Sequence, residues 1–425
     1  MIEILSNPES LWIVGSTLCL GTLLSMILRL TATLRNNSKT DLITRLEIQK
    51  VQHQVALAAS RLEREKEREE RAWNGLRKFQ ITEKLVEASG ICSLHLTPLD
   101  GKPLPPFLPG QYLTFTVWLP KLNKPLKRCY SISSDPFSLD YYRITVKRIA
   151  PPADQEPHQN HAGGVSQHFY DNLDVGSLLD VQAPGGHFTL NVDESQPVVL
   201  IGSGIGITPV YSMLLSHCQT QPQVECWLFL GATNAQQHIW KKELESLAQK
   251  HEKFRLRICY SRPEAELSQG EDFDYAERVT VDLLKRILPS NNYRFFLCGP
   301  SAMMHDLSFG LKEWGVPKDR VHFETFGPSS VKKASKIVNS ESRNVTFIRS
   351  GKQLSWRGGD QTVLDLAEAN GVPLESGCRS GHCGACKTTL KSGQVEYRED
   401  LSIQIDAGSF LPCVATPASD IQVDA

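Results

Sequence analysis

The sequence predicts a multidomain protein: an N-terminal transmembrane helix and helical stalk, then an antiparallel β-barrel, an α/β domain on a parallel sheet, and a small α+β domain. Three observations predict it. A charge-free run, SLWIVGSTLCLGTLLSMIL, occupies Ser10 to Leu28. After Trp73 the apolar period falls to two between Pro and Gly punctuation. From Pro197 short apolar strands alternate with helical stretches, as they do in parallel sheets covered on both faces. The 425 residues exceed one ordinary core, given about 100 to 200 residues per domain. A hydrophobic content of 40%, a charged content of 22% and a formal net charge of −1 give no general affinity for nucleic acid or anionic membranes. The 11 cysteines are odd in number and cluster tightly only near the end, which argues for a metal centre in a reducing compartment rather than a disulfide scaffold.

In chain order, residues 1–40 form the expected membrane anchor. The apolar run is near the lower limit of roughly 17 to 25 residues for a spanning helix. Glu3 and Glu9 precede it, whereas Arg29, Arg35 and Lys39 follow, so the positive-inside rule puts the rest of a single-pass protein on the cytoplasmic side. A cleaved or merely buried segment is the alternative. Residues 41–72 lack Gly and Pro and place Ile48, Val51, Val55, Ala58 and Leu62 on a coiled-coil seam. Fully helical, this stalk is about 48 Å long; it is either a solvated spacer or a homodimerising coiled coil. The barrel is expected over 73–191, from FQITEKLV, ICSLHLTPL, QYLTFTVWL and YYRITVKRI. The parallel-sheet domain is expected over 192–327, from VVLIGSG, ECWLFLGA, RLRICYS and YRFFLCG with intervening helices. A Ser- and Lys-rich linker follows at 328–343, and the last domain occupies 344–425.

Four patterns carry chemistry. Cys378, Cys383, Cys386 and Cys413 show the spacing of a 2Fe-2S ligand set, three thiolates wrapping one loop and a fourth arriving from a distant segment. A structural zinc site would more usually show two close C-x2-C pairs. In RCYSISSDP, Arg128, Tyr130 and Ser131 stand together on one strand, where they can pair with a pyrophosphate, cover a flavin face and hydrogen-bond a flavin edge. Gly163, Gly164, Val165 and Ser166 of GGVS fall at a predicted helix start, whose N–H groups suit the same phosphates. Gly202, Gly204 and Gly206, followed by Thr208 and Pro209, make a strand-to-helix turn that a dinucleotide pyrophosphate can approach.

These motifs resemble two families. Residues 344–425 are similar to plant-type ferredoxins, which implies a β-grasp fold and a one-electron cluster. The segment from Trp73 and Gly75 through PPFLPGQYLTF, RCYS and the glycine turn resembles the ferredoxin-NADP reductase superfamily, especially the reductase half of flavohaemoglobins. No globin domain precedes it. The resemblance implies that Arg128, Tyr130 and Ser131 hold FAD, with Val146 and Lys147 on the following strand. It puts Cys298, Gly299 and Pro300 on the nicotinamide side and Glu324 and Phe326 near the flavin, making Ser131, Thr208, Cys298 and Glu324 the candidate catalytic set. Ser261 and Arg262 occupy the position where relatives that use NADPH surround the 2'-phosphate, so NADPH is preferred over NADH. The order flavin, nucleotide, ferredoxin resembles reductase components of oxygenases and desaturases, and the reductase of hybrid-cluster protein. A sodium-pumping quinone reductase subunit has its ferredoxin domain first and matches poorly. The expected activity is electron transfer from NAD(P)H through FAD and the cluster to a membrane-associated oxygenase, hydroxylase or desaturase. The alternatives are service to a hybrid-cluster-type protein and a redox-responsive signalling or scaffold role.

Overall fold

The computed structural model describes residues 19–29, 44, 48, 51–52, 55, 58–60, 62–119, 125–149, 162–191, 196–325, 342–358, 361–377, 381, 384–397 and 405–425. The chain divides into two compact units, Met1–Glu67 and Arg68–Ala425. In the first unit, residues 19–29 are helical. This overturns the expected membrane anchor, and with it the single-pass localisation: among the described residues no helix is long and apolar enough to cross a membrane. Eleven helical residues rise only about 16 Å, roughly half of a bilayer's hydrocarbon thickness. The remainder of the apolar run lies outside the described residues. On the stalk, the described seam residues Ile48, Val51, Val55 and Leu62 are helical and more than half exposed.

The second unit opens with six antiparallel strands: β1 (Arg77–Ala88), β2 (Ile91–Pro98), β3 (Tyr112–Val117), β4 (Leu126–Ser131), β5 (Tyr142–Lys147) and β6 (Leu178–Gly185). Their order is β4-β3-β6-β1-β2-β5, and an Ile132–Ile144 bridge joins the two edges into a barrel. The period-two pattern sends Phe79 and Ile81 of β1, Leu113 and Phe115 of β3, and Ile144 and Val146 of β5 into one core. One helix, α1 (Ala162–Asp171), adds Val165 and Phe169 to that core.

Five parallel strands follow: β7 (Val198–Ser203), β8 (Cys226–Ala232), β9 (Phe254–Tyr260), β10 (Arg294–Gly299) and β11 (Val321–Thr325), in the order β11-β10-β7-β8-β9. Alternation along these strands feeds two separate cores. Leu200, Leu228, Phe296 and Cys298 meet α2 (Ile207–Thr220) and α3 (Lys241–Lys250) on one face. Val199, Ile201, Phe229 and Leu297 meet α4 (Val281–Ile287) and α5 (Ser301–Glu313) on the other. From β7 the chain winds outward in one direction to β9 and then returns to β10 on the other side. The carboxyl ends of β7 and β10 therefore flank a topological switch point, where such sheets bind ligands.

The last sheet is mixed, with β13 (Lys352–Trp356), β12 (Arg343–Phe347), β18 (Ile421–Val423), β14 (Thr388–Ser392) and β16 (Ser409–Phe410) side by side. A separate ribbon pairs β15 (Val395–Tyr397) with β17 (Ala415–Pro417). Helix α6 (Val363–Ala369) starts with a reciprocal capping box between Thr362 and Asp365 and buries Val363, Leu366 and Ala367 against the sheet.

Candidate redox site

On the barrel, β4 carries Arg128, Tyr130 and Ser131 as the sequence predicts. The Tyr130 ring packs against Phe115 and Phe169, at centroid distances of 5.7 and 5.0 Å. This desolvation, offset in part by Arg128, holds the Tyr130 phenol protonated, well above its ordinary range. Arg128 Nη1 donates to the Lys127 carbonyl at 2.8 Å. Ser131 is buried, and its hydroxyl has no hydrogen-bond partner among the described residues. A buried hydroxyl left unmatched costs about 1–3 kcal/mol, so the strand suits a ligand that brings a polar edge to Ser131, as FAD does. On β5, Val146 points into the core and has only its backbone to offer, whereas Lys147 is half-buried. Gly163, Gly164 and Val165 lie in the first turn of α1, where N–H groups lack intrahelical partners. Ser166 lies one residue beyond that turn, and its hydroxyl accepts the Ile149 N–H at 3.3 Å.

At the switch point, Gly202, Cys298 and Glu324 stand in register across β7, β10 and β11. Both Cys298 and Glu324 are buried. Burial, reinforced by the Glu324 carboxylate, pushes the Cys298 thiol far up, so it is a neutral group rather than a thiolate. The Gly204–Gly206 turn then enters α2. Its close packing explains the last glycine: a Cβ on Gly206 would lie 2.5 Å from the Cys298 carbonyl carbon and 2.8 Å from Gly299 N. Thr208 Oγ1 donates to the Ile205 carbonyl at 2.9 Å. Pro209 occupies the first turn of α2, where the missing N–H costs no helical bond. The barrel strand β5 runs alongside this turn, so the two predicted sites are neighbours. Pro300 precedes α5 at the end of β10. Ser261 and Arg262 follow β9, pinned by backbone bonds to the Ala232 and Thr233 carbonyls at 3.0 and 2.8 Å. That leaves the Arg262 side chain exposed beside the end of β8.

In the last sheet, the thiols of Cys386 and Cys413 approach to 3.2 Å across 27 residues of sequence, and both residues are buried with Leu364, Leu411 and Val414. Two converging sulfurs are the donor chemistry a 2Fe-2S cluster requires. Cys378, Cys383 and Phe326 lie outside the described residues.

Sequence reasoning missed Arg143 of β5. Its guanidinium donates to the Ser133 carbonyl at 2.6 Å and covers Trp240 and Tyr211 at 4.6 and 5.3 Å from their ring centroids, joining the barrel to the nucleotide-side helices. In YYRITVKRI it is simply a polar residue at an outward position, and no local signal separates it from a surface arginine.

A family model described as an oxidoreductase NAD-binding domain matches residues 200–308, and one described as a 2Fe-2S iron-sulfur cluster binding domain matches residues 345–418. With the barrel and switch point, these matches describe a chain that carries an oxidoreductase NAD-binding domain and a 2Fe-2S iron-sulfur cluster binding domain. Among relatives, the flavohemoprotein of Bacillus cereus is 33% identical over 261 residues, 61% of this chain and 63% of its own length. That of Rhizobium meliloti is 36% identical over 265 residues, with the same two shares. The chain thus spans less than two thirds of these curated relatives. Among solved structures, a phthalate dioxygenase reductase, described as modular for electron transfer from pyridine nucleotides to 2Fe-2S, is 26% identical. It covers 83% of this chain and 98% of its own, with a TM-score of 0.55. The flavohem-like FAD/NAD binding domain of nitric oxide dioxygenase from Vibrio cholerae is 29% identical over 60% of this chain and 100% of its own, with a TM-score of 0.52.

Proposed function

We propose that this chain is the reductase component of an oxygenase-type system, taking electrons from NAD(P)H and delivering them singly to a separate oxygenase, hydroxylase or desaturase. The observation that carries the reading is the packing of Gly206 against Cys298 and Gly299 at the switch point, with the barrel strand β5 alongside. That turn presents backbone N–H groups and the positive end of α2 to a dinucleotide pyrophosphate. The neutral Cys298 thiol and the adjacent Glu324 line the nicotinamide side without placing a thiolate there. Arg128 and the first turn of α1 are assigned to the FAD pyrophosphate, and Tyr130 and Ser131 to the flavin ring. Bound FAD supplies the conversion of an electron pair into single electrons, and the cluster on Cys378, Cys383, Cys386 and Cys413 relays them. Exposed Arg262, with Ser261, favours NADPH by offering a fork to a 2'-phosphate. Pairing of two chains along the exposed stalk seam belongs to the same proposal; sedimentation at graded concentrations tests it, and a monomer throughout would remove it.

The activity is tested by anaerobic titration with NADPH and, separately, NADH. Flavin absorbance and the low-temperature electron paramagnetic resonance of the cluster are followed together. Flavin bleaching accompanied by a reduced 2Fe-2S signal is expected. A protein that binds neither flavin nor iron under adequate supply would overturn the reading.

A further inference from the structure

Among the described residues, an ion pair joins the flavin strand to the segment that leads into the cluster loop. Lys127 Nζ lies 2.9 Å from Glu375 Oε1, joining residues 248 apart in sequence. Lys127 immediately precedes Arg128 and is held in the β3–β4 ladder opposite Thr116. Side chains on one face of a strand recur every second residue, so Lys127 shares a face of β4 with Ser131, about 14 Å further along. Glu375 follows Leu374, which packs into the small core containing Cys386 and Cys413, and stands three residues before Cys378. Each partner is thus one step from a cofactor-side group: the lysine from the FAD strand, the glutamate from the core that positions the thiols. Neither residue belongs to a cofactor-binding motif.

We infer that the Lys127–Glu375 pair is a positioning contact that docks the cluster loop on the flavin strand and favours the arrangement in which electrons cross between them. The inference rests on the electron-transfer reading proposed above. Each crossing is a one-electron step, in which one electron leaves the reduced flavin and one ferric iron of the cluster becomes ferrous. The pair transfers no atom; it sets the fraction of molecules in the docked arrangement. Side-chain exposures of 25% for Lys127 and 74% for Glu375 make the contact weak and reversible, consistent with a ferredoxin domain that must also reach an external acceptor.

The test uses the full chain with both cofactors. A water-soluble carbodiimide joins an amine to a carboxylate only in direct contact, forming an amide while the reagent takes up the water as a urea. A Lys127–Glu375 cross-linked peptide is expected by mass spectrometry, and should be absent from Lys127→Gln and Glu375→Gln. In stopped-flow reduction, Lys127→Glu and Glu375→Lys should each leave flavin bleaching by NAD(P)H unchanged and slow cluster reduction about 2- to 5-fold, the range for an exposed ion pair. The double reversal should restore the wild-type rate, and salt should slow the wild type but not the single variants. Absence of the cross-link, equal cluster rates in all four proteins, or a double variant as slow as the singles would overturn the inference. Failure of NAD(P)H to bleach the flavin would instead overturn the functional reading, and is distinguishable because the cross-link is scored without any turnover.

Discussion

Replacing Gly206 with Ala isolates a steric term. The backbone at Gly206 has φ −64°, an ordinary right-handed value, so alanine meets no conformational penalty there. The added methyl would nonetheless stand 2.5 Å from the Cys298 carbonyl carbon, whereas ordinary carbon contacts begin near about 3.5 Å, so β10 and the turn must separate by about 1 Å. Both neighbours are backbone at the carboxyl end of a central strand and cannot rotate away. A 1 Å displacement of a positioning group costs about 100-fold in rate, and overpacking costs about 1–3 kcal/mol in stability. Flavin bleaching by NAD(P)H should therefore slow about 100-fold, while FAD content and reduction by dithionite stay at wild-type levels. Gly204→Ala is the control: φ is +55° with nothing within 4 Å, so only the left-handed backbone cost of about 1–2 kcal/mol applies. If Gly206→Ala bleaches its flavin at a rate close to wild type, the turn does not set the nucleotide's position.

Other predictions follow from single groups. Ser131→Ala removes an unmatched buried hydroxyl, so the apoprotein should gain about 1–3 kcal/mol while FAD binds about 2- to 13-fold more weakly; thermal unfolding with and without FAD measures both, and an apoprotein destabilised by the change would contradict the assignment. Cys413→Ser should abolish the 2Fe-2S resonance and leave flavin reduction intact, because the two centres are held by separate cores; a persisting wild-type signal would remove Cys413 from the ligand set. Arg262→Ala should erase any preference for NADPH over NADH, and an unchanged preference would refute its role. Burial, with a smaller contribution from Lys241, lowers the His238 imidazole from 6.5 to about 4, so the unfolded chain takes up a proton first as pH falls. Stability contributed by neutral His238 is intact above about pH 6.5 and lost progressively toward pH 4, on the order of 3 kcal/mol in all. Unfolding midpoints measured across that window should fall less steeply in His238→Phe, and an identical pH profile would show that His238 is not the group responsible.

The parts of the fold legible in the sequence are those where one local rule determines the outcome. Phe79 and Ile81 alternate with exposed or half-buried neighbours because this part of β1 has one wetter face, and the alternation alone assigns them to the core. Strands β7 and β8 were legible because strands covered on both faces are apolar nearly throughout. The membrane helix is overturned because, among the described residues, no helix is long and apolar enough to cross a bilayer, and hydropathy by itself reports only that a run is apolar.

The groups that connect the cores were illegible, and necessarily so. Arg143 gains its role from Trp240, which lies 97 positions away in sequence, and Lys127 from Glu375, which lies 248 away. Neither contact has a period, a turn rule or a spacing that a linear pattern expresses. Cofactor motifs are different, because a flavin or a cluster imposes its own geometry on a short stretch of chain and leaves glycines and cysteines at regular intervals. A chain assembled from several cores therefore advertises what each core can bind and hides how the cores meet. Flux through such a chain depends on both. Substitutions at Arg143, Lys127 and Glu375 should consequently change the coupling between centres more than the loading of any one centre, and cofactor content measured beside rates separates the two effects.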